Sequence, residues 1–229
     1  MVMIRGFYSA TQGIKTSQVR MDTLANNMAN VGTTGFKPIT PGFSDTLYAN
    51  LDENVSIGSG VKQISSTVNF APGTREHTGE EYDFFIEGDG FFAVGSQEDG
   101  VQYTRNGRFS LSHENGQNFL VTADGQYVLD KDLQRIVIGE NTAVEPGVFG
   151  FANPYALQLT GSCRFAPNEM SGQAETIENA VVINGCLESS AVDMVGEISR
   201  MIEAQRAFQF NARMIQVSDE IEQIASTLR

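Results

Sequence analysis

Three observations predict an α+β fold, in which a central antiparallel β-rich domain is flanked by long N- and C-terminal helices that pair as a coiled coil. Apolar residues recur at alternating steps of four and three at both ends of the chain. Turn dipeptides punctuate short β-rich runs in the middle. The charge divides along the same boundaries: residues 1–37 hold four basic residues against one acid, residues 188–229 hold four arginines against seven acids, and the stretch between them holds 7 basic against 20 acidic residues. With 229 residues, 41% of them apolar, the chain can bury a real core.

At the N-terminus Met3, Phe7, Ala10, Ile14, Ser17, Met21, Leu24, Met28 and Val31 fall on one narrow seam, interrupted only by Ser17. The spacing predicts a helix over residues 3–30. It ends where Asn30-Val31-Gly32 is followed by Pro38 and Pro41, a glycine free to close the helix and prolines unable to continue it. Residues 32–60, rich in glycine, serine and proline, read as an extended connector.

The centre, residues 61–187, is expected to be an antiparallel β domain. Asp89-Gly90, Asp99-Gly100, Asn106-Gly107, Asn115-Gly116, Asp124-Gly125 and Asn184-Gly185 tolerate the positive φ of tight turns. They separate runs such as 82–87, 91–94, 108–112, 119–122 and 135–138.

The C-terminal segment repeats the helical pattern through Met194, Ile198, Met201, Gln205, Phe208, Ala212 and Ile215, then shifts by one residue through Met214, Val217, Ile221, Ile224 and Leu228. Ser190 with Asp193 reads as a capping box, placing this helix at about residues 191–227. The domain division is thus 1–31, 32–60, 61–187 and 188–229. Val195, Ile202 and Phe210 lie off the seam, and a second apolar face implies neighbours, so self-association is expected.

No catalytic constellation survives inspection. Gly88-Asp89-Gly90-Phe91-Phe92-Ala93 has the form of a dinucleotide fingerprint, but Phe91 to Gly95 reads as a second strand instead of a helix, and Asp89 would oppose a pyrophosphate. Glu81, Asp83 and Glu87 share one face of a strand, as solvated residues do, although a carboxylate pair for glycoside hydrolysis would use the same residue types. Two cysteines, Cys163 and Cys186, and two histidines, His77 and His113, supply too few soft ligands for a zinc site, and the cysteines read as unpaired thiols. Neither a cofactor nor a metal is expected. The formal charge of −13, without a basic patch, argues against nucleic acid, and no run approaches the ~18 apolar residues of a membrane span.

Residues 25–37, Ala-Asn-Asn-Met-Ala-Asn-Val-Gly-Thr-Thr-Gly-Phe-Lys, resemble the N-terminal signature of the bacterial flagellar rod and hook family of axial proteins. Three further stretches match in order: residues 86–92, Ile-Glu-Gly-Asp-Gly-Phe-Phe; residues 103–109, Tyr-Thr-Arg-Asn-Gly-Arg-Phe, with 121–125, Val-Thr-Ala-Asp-Gly; and residues 187–190, Leu-Glu-Ser-Ser, leading into 201–208, Met-Ile-Glu-Ala-Gln-Arg-Ala-Phe. The signature residues are therefore Asn26, Asn27, Asn30, Thr33, Thr34, Gly35, Phe36 and Lys37, with Gly88, Asp89, Gly90 and Phe91. Gly32 and Cys186 depart from the family pattern, where asparagine and an aromatic residue are commoner. The opening 3–8, Met-Ile-Arg-Gly-Phe-Tyr, is most similar to subunits from the distal part of the rod, and the modest length sets the chain apart from hook subunits with an added outer domain.

The resemblance implies terminal helices forming the inner layer of a hollow helical polymer, with a β domain outside it. It implies contact with other rod and hook proteins and with surrounding ring proteins, and passage through the flagellar export apparatus without a cleaved signal peptide or membrane insertion. The site residues it implies are the assembly seams: Met3, Phe7, Ala10, Ile14, Met21, Leu24, Met28 and Val31 on the first helix, and Met194, Ile198, Met201, Gln205, Phe208, Ala212, Ile215, Ile221, Ile224 and Leu228 on the second. A lone seam cannot offset an ordering cost of ~1–2 kcal/mol per residue, so the termini are expected to fold on assembly. Outside the family, the same chain would read as a secreted β-domain enzyme or binding module acting on cell-wall carbohydrate.

Overall fold

A computed structural model describes residues 2–46, 49–52, 55–57, 60–96, 100–114, 116–139 and 144–227. The chain is α+β and divides into two compact units. The first comprises residues 1–29, 39–68 and 193–229, and the second residues 30–38 and 69–192.

In the first unit, helix α1 spans Val2–Ala29 and helix α2 spans Met194–Thr227. At ~1.5 Å per residue these are roughly 42 and 51 Å long. They run antiparallel and in contact: Asn211 lies against Gly13, Glu203 is 3.6 Å from Arg20, and Glu197 bonds Asn27. Part of the segment read as an extended connector, residues 32–60, is paired: Ile39–Asp45 forms a ribbon with Val61–Val68 in antiparallel register. Its paired backbone amides satisfy groups that a loop would leave to solvent. Ala49–Asp52 pairs with Val55–Ile57 in the same way.

The second unit is built on a six-stranded antiparallel sheet in the order Gln158–Gly161, Arg164–Ala166, Gly100–Thr104, Phe91–Ser96, Val148–Gly150, Glu175–Thr176. A second sheet of three strands orders Val137–Ile138, Gln117–Thr122 and Phe109–Glu114, and Val181–Asn184 pairs with Phe84–Glu87. Every residue from Phe91 to Gly95 is buried, which an uninterrupted apolar run achieves only where both faces of a strand are covered. One face meets Phe84, Ile86, Phe109, Leu120, Val128 and Val148 through Phe92 and Val94; the other carries Phe91, whose ring stacks edge-on with Phe70, Phe151 and Phe165.

The turn dipeptides divide by mechanism. Gly90, Gly125 and Gly185 have the positive φ that the sequence suggested, as do Gly100 and Gly116, whose partners Asp99 and Asn115 lie outside the described residues. Gly107 does not: its φ is ordinary, and it is required because a Cβ there would overlap the carbonyl of Phe84, whose amide donates to Gly107 O. One tight turn uses no glycine at its centre. Ser162 and Cys163, at φ 48° and 57°, join the first two strands of the large sheet. Burial pushes the Cys163 thiol above its ordinary 9.0. Iodoacetamide should therefore modify Cys163 more slowly at pH 8 than a thiol in the unfolded chain, with a rate still climbing above pH 9.

The capping box at the start of α2 does not close. The helix begins at Met194, the Glu197 amide bonds the Asp193 carbonyl, and among the described residues the buried Ser190 hydroxyl has no hydrogen-bond partner.

Candidate functional site

The candidate site is the helix pair of the first unit, where the two seams read from the sequence lie. On α1, Ala10, Ser17 and Leu24 are buried, and Ile14, Met21 and Met28 half-buried, at alternating steps of four and three. Phe7 and Val31 are exposed, and the side chain of Met3 lies outside the described residues.

On α2 the inward stripe is Glu197, Met201, Ala204, Phe208, Asn211, Ile215 and Ser218, also in steps of four and three. Of the residues read from the sequence, Met201, Phe208, Ala212 and Ile215 are half-buried, while Met194, Ile198, Gln205, Ile221 and Ile224 are exposed. Leu228 lies outside the described residues. Alternate positions differ by one residue because α2 turns small or polar groups toward α1: Glu197 to reach Asn27, and Asn211 to fill the space over Gly13. Apolarity alone selects the neighbouring Ile198 and Ala212. The consequence is a second stripe facing solvent, comprising Ile198, Ile202, Phe210, Met214, Val217, Ile221 and Ile224.

Asn27 fastens this unit. Its side chain, 1% exposed, donates through Nδ2 to Ile39 O at 2.9 Å and to Glu197 Oε2 at 3.1 Å, and accepts from Ile39 N at 3.0 Å through Oδ1. One amide thus holds α1, the first strand of the ribbon and α2 together. Arg200 Nη1 donates to the other Glu197 oxygen at 2.7 Å.

Asn26 is exposed on α1, and from Asn30 onward the N-terminal signature folds into the second unit. Thr33 closes a turn by bonding Asn30 through backbone and hydroxyl, and Thr34 is half-buried. Gly35, at φ 66°, donates its amide to Glu188 O, and a Cβ there would stand 2.6 Å from the Arg105 carbonyl. Gly35→Ala should combine left-handed strain with that overlap and cost roughly 2–3 kcal/mol, read as a lowered denaturation midpoint at unchanged m value. Phe36 is buried, and its carbonyl accepts from Ala191 N.

Lys37, 4% exposed, donates from Nζ to Glu188 Oε1 at 2.6 Å and to Ala71 O at 2.7 Å. Gly73 N donates a second bond to the same Glu188 oxygen, and Arg105 Nη1 stands 3.5 Å from the other. Arg105 Nη2 donates to Gly88 O, and its guanidinium lies 5.5 Å from the centre of the Phe91 ring. Burial lowers both Lys37 and Arg105 below their ordinary values, in both cases outweighing the opposing pull of Glu188. Two cations therefore share one buried carboxylate. Gly90 packs against Val148, while Asp89 is exposed.

The candidate catalytic acids differ in their surroundings. Asp83 is buried, accepting from the Thr78 hydroxyl at 2.6 Å, whereas Glu81, Glu87 and Asp89 are exposed. Among the described residues no group of three or more His, Cys, Asp or Glu side chains could hold a metal, and no helix is long and apolar enough to cross a membrane.

The arrangement matches known families in three places. Residues 7–37 match the family described as Flagella basal body rod protein, residues 85–147 the Flagellar hook protein FlgE/F/G D1 domain, and residues 183–228 the Flagellar basal body rod FlgEFG protein C-terminal. The chain is 33% identical to the flagellar basal-body rod protein FlgG of Bacillus subtilis, with 96% of this chain and 97% of that protein covered. It is 32% identical to the FlgG of Borreliella burgdorferi over 99% of both chains, and 30% identical to the flagellar basal-body rod protein FlgF of Caulobacter vibrioides, covering 92% and 91%. With matches at both termini and the centre, and relatives of 32–33% identity aligned over nearly their full length, the chain belongs to the flagellar basal-body rod protein family as a structural subunit of the rod.

Proposed function

We propose that this chain polymerises through its terminal helices into the inner layer of a hollow shaft, in the distal part of the rod, and transmits torque from motor to hook. The observation that carries this reading is the second apolar stripe of α2, exposed after α1 has taken the first. Each such side chain is already about half covered, so full burial against a neighbouring helix adds roughly half of the ~1.5–3 kcal/mol that burying a fully exposed one supplies. Antiparallel packing in steps of four and three fits a coiled-coil pair, and a stiff pair is what a torque-bearing layer requires.

The mechanism is packing, with no catalytic residue and no cofactor. The partners are further copies, adjoining rod and hook proteins, and the surrounding rings, reached through the flagellar export apparatus in an unfolded state. The terminal helices complete their folding on assembly.

Electron microscopy of basal bodies from cells lacking this chain, with and without complementation, tests the reading. Structures truncated within the rod, and restored by complementation, are the expected result. The length of the remaining stub distinguishes a distal from a proximal position. A complete rod without a hook would move the chain to the hook, and intact flagella would overturn an axial role.

A further inference from the structure

The first unit contains a groove of about 380 Å³ with an apolar floor of Leu24, Ile39, Pro41 and Phe43 and a rim of Arg20 and Arg200. We propose that this groove receives the C-terminal end of α2, residues 217–227, from a second copy of the chain. The proposal rests on the rod reading and names the contact through which one subunit follows another.

Charge and shape select this occupant. The groove presents two guanidiniums against one lining carboxylate, Glu197. Among the described residues Arg20 pairs with the exposed Glu203 at 3.6 Å, and such a partly solvated pair is weak enough to exchange. Arg200 bonds Glu197 through one nitrogen, and a guanidinium has further donors to offer. Between Met214 and Thr227 the chain has Asp219, Glu220 and Glu222 and no basic residue. Every residue from Asp219 to Thr227 is exposed, including Ile221 and Ile224, at 44% and 59%. An acidic helix end with two uncovered isoleucines thus complements a basic-rimmed apolar groove.

The same molecule cannot satisfy both halves. Glu197 and Ile221 lie on one continuous helix, and at ~1.5 Å per residue about 36 Å separates them. The occupant must be another copy. Two copies that exchanged helix ends reciprocally would close as a dimer; where copy follows copy instead, the contact is heterologous, and each added subunit leaves one groove and one end unfilled, as the open polymer of the rod reading requires.

A charge exchange tests the contact. One chain carries Arg20→Glu with Arg200→Gln, the glutamine keeping a donor for Glu197; the other carries Glu220→Arg with Glu222→Arg. Expressed singly in cells lacking the parent chain, each is expected to cut rod assembly at least roughly tenfold, since like-charge juxtaposition costs several kcal/mol. Expressed together they are expected to restore it, because each helix end then meets a groove of opposite sign. Parent-level assembly by either variant alone overturns the proposal.

A second measurement needs no charge reversal. Phe43→Cys with Ile224→Cys, in a chain with Cys163→Ser and Cys186→Ser, is expected to give a ladder of disulfide-linked oligomers when isolated rods are oxidised. Rods that form without a ladder overturn the docking, whatever the charge variants do. If cells without this chain build complete flagella, the rod reading itself fails. If the parent chain is needed for rods and the ladder is absent, only the docking falls.

Discussion

Replacing Glu188 is expected to lower the stability of the second unit by about 3–5 kcal/mol, the range for breaking a buried ion pair from one side. For a chain of this size that is a fall of roughly 10 °C in calorimetric melting temperature. Glu188 compensates Lys37 at 2.6 Å and Arg105 at 3.5 Å, and both cations are about as deeply buried as the carboxylate. Without it, two buried cations face each other unpaired. Glu188→Gln separates charge from hydrogen bonding, since a glutamine oxygen can still accept from Lys37 Nζ and Gly73 N. Glu188→Ala should therefore be the more damaging. Adding Lys37→Met to Glu188→Gln should cost less than the sum of the two changes, because the second removes a charge that the first has stranded.

The same site has a pH signature. Burial holds Lys37 below 10.5 in the folded chain. In the window beneath 10.5 the unfolded chain binds more protons, so the stability of the parent rises with pH there. Removing the carboxylate takes away the main influence opposing burial, drops the folded value further and widens the window downward. Chemical denaturation of the parent and of Glu188→Gln from pH 7 to 10 should show the variant gaining more stability per pH unit.

This network also shows what was legible in the sequence. The resemblance rests on four ordered stretches separated by dozens of residues, and each sends a residue to it: Lys37 from the first, Gly88 and Phe91 from the second, Arg105 from the third and Glu188 from the fourth. Those stretches were visible as text, but nothing in spacing reveals that a lysine next to a proline is 4% exposed. Charged residues read as surface by default, and only tertiary pairing reverses that. The helices were legible because periodicity reports which face is buried, as the extent of α1 shows. Periodicity resolves a face and not a residue, so Glu197 and Asn211, polar and chosen by their partners across the pair, could not be told from their apolar neighbours. The pairing within the ribbon of residues 39–68 is not legible because a proline and a glycine in its first strand read as extended connector, although Pro41 has no amide to lose and Gly42 stands at a shift in register.

Asn27→Ala should cost the first unit about 2–3 kcal/mol, more than an ordinary surface change, because one truncation strands three partners: the amide and carbonyl of Ile39 and one oxygen of Glu197. The sharper test is Asn27→Asp. It preserves shape and the acceptor for Ile39 N, but replaces the Nδ2 donor by a carboxylate oxygen 3.1 Å from Glu197 Oε2. Two carboxylates at that distance resist ionising together, so the pair should hold a proton that the unfolded chain releases. A group whose folded value is raised contributes stability at low pH and loses it as pH rises. Asn27→Asp should accordingly approach the parent near pH 4 and fall progressively below Asn27→Ala toward pH 7, measured as helical signal against denaturant. A variant insensitive to pH would mean that Glu197 does not face residue 27. Because Glu197 also takes Arg200 at the rim of the groove, the same substitution should weaken rod assembly more at neutral pH than in mild acid.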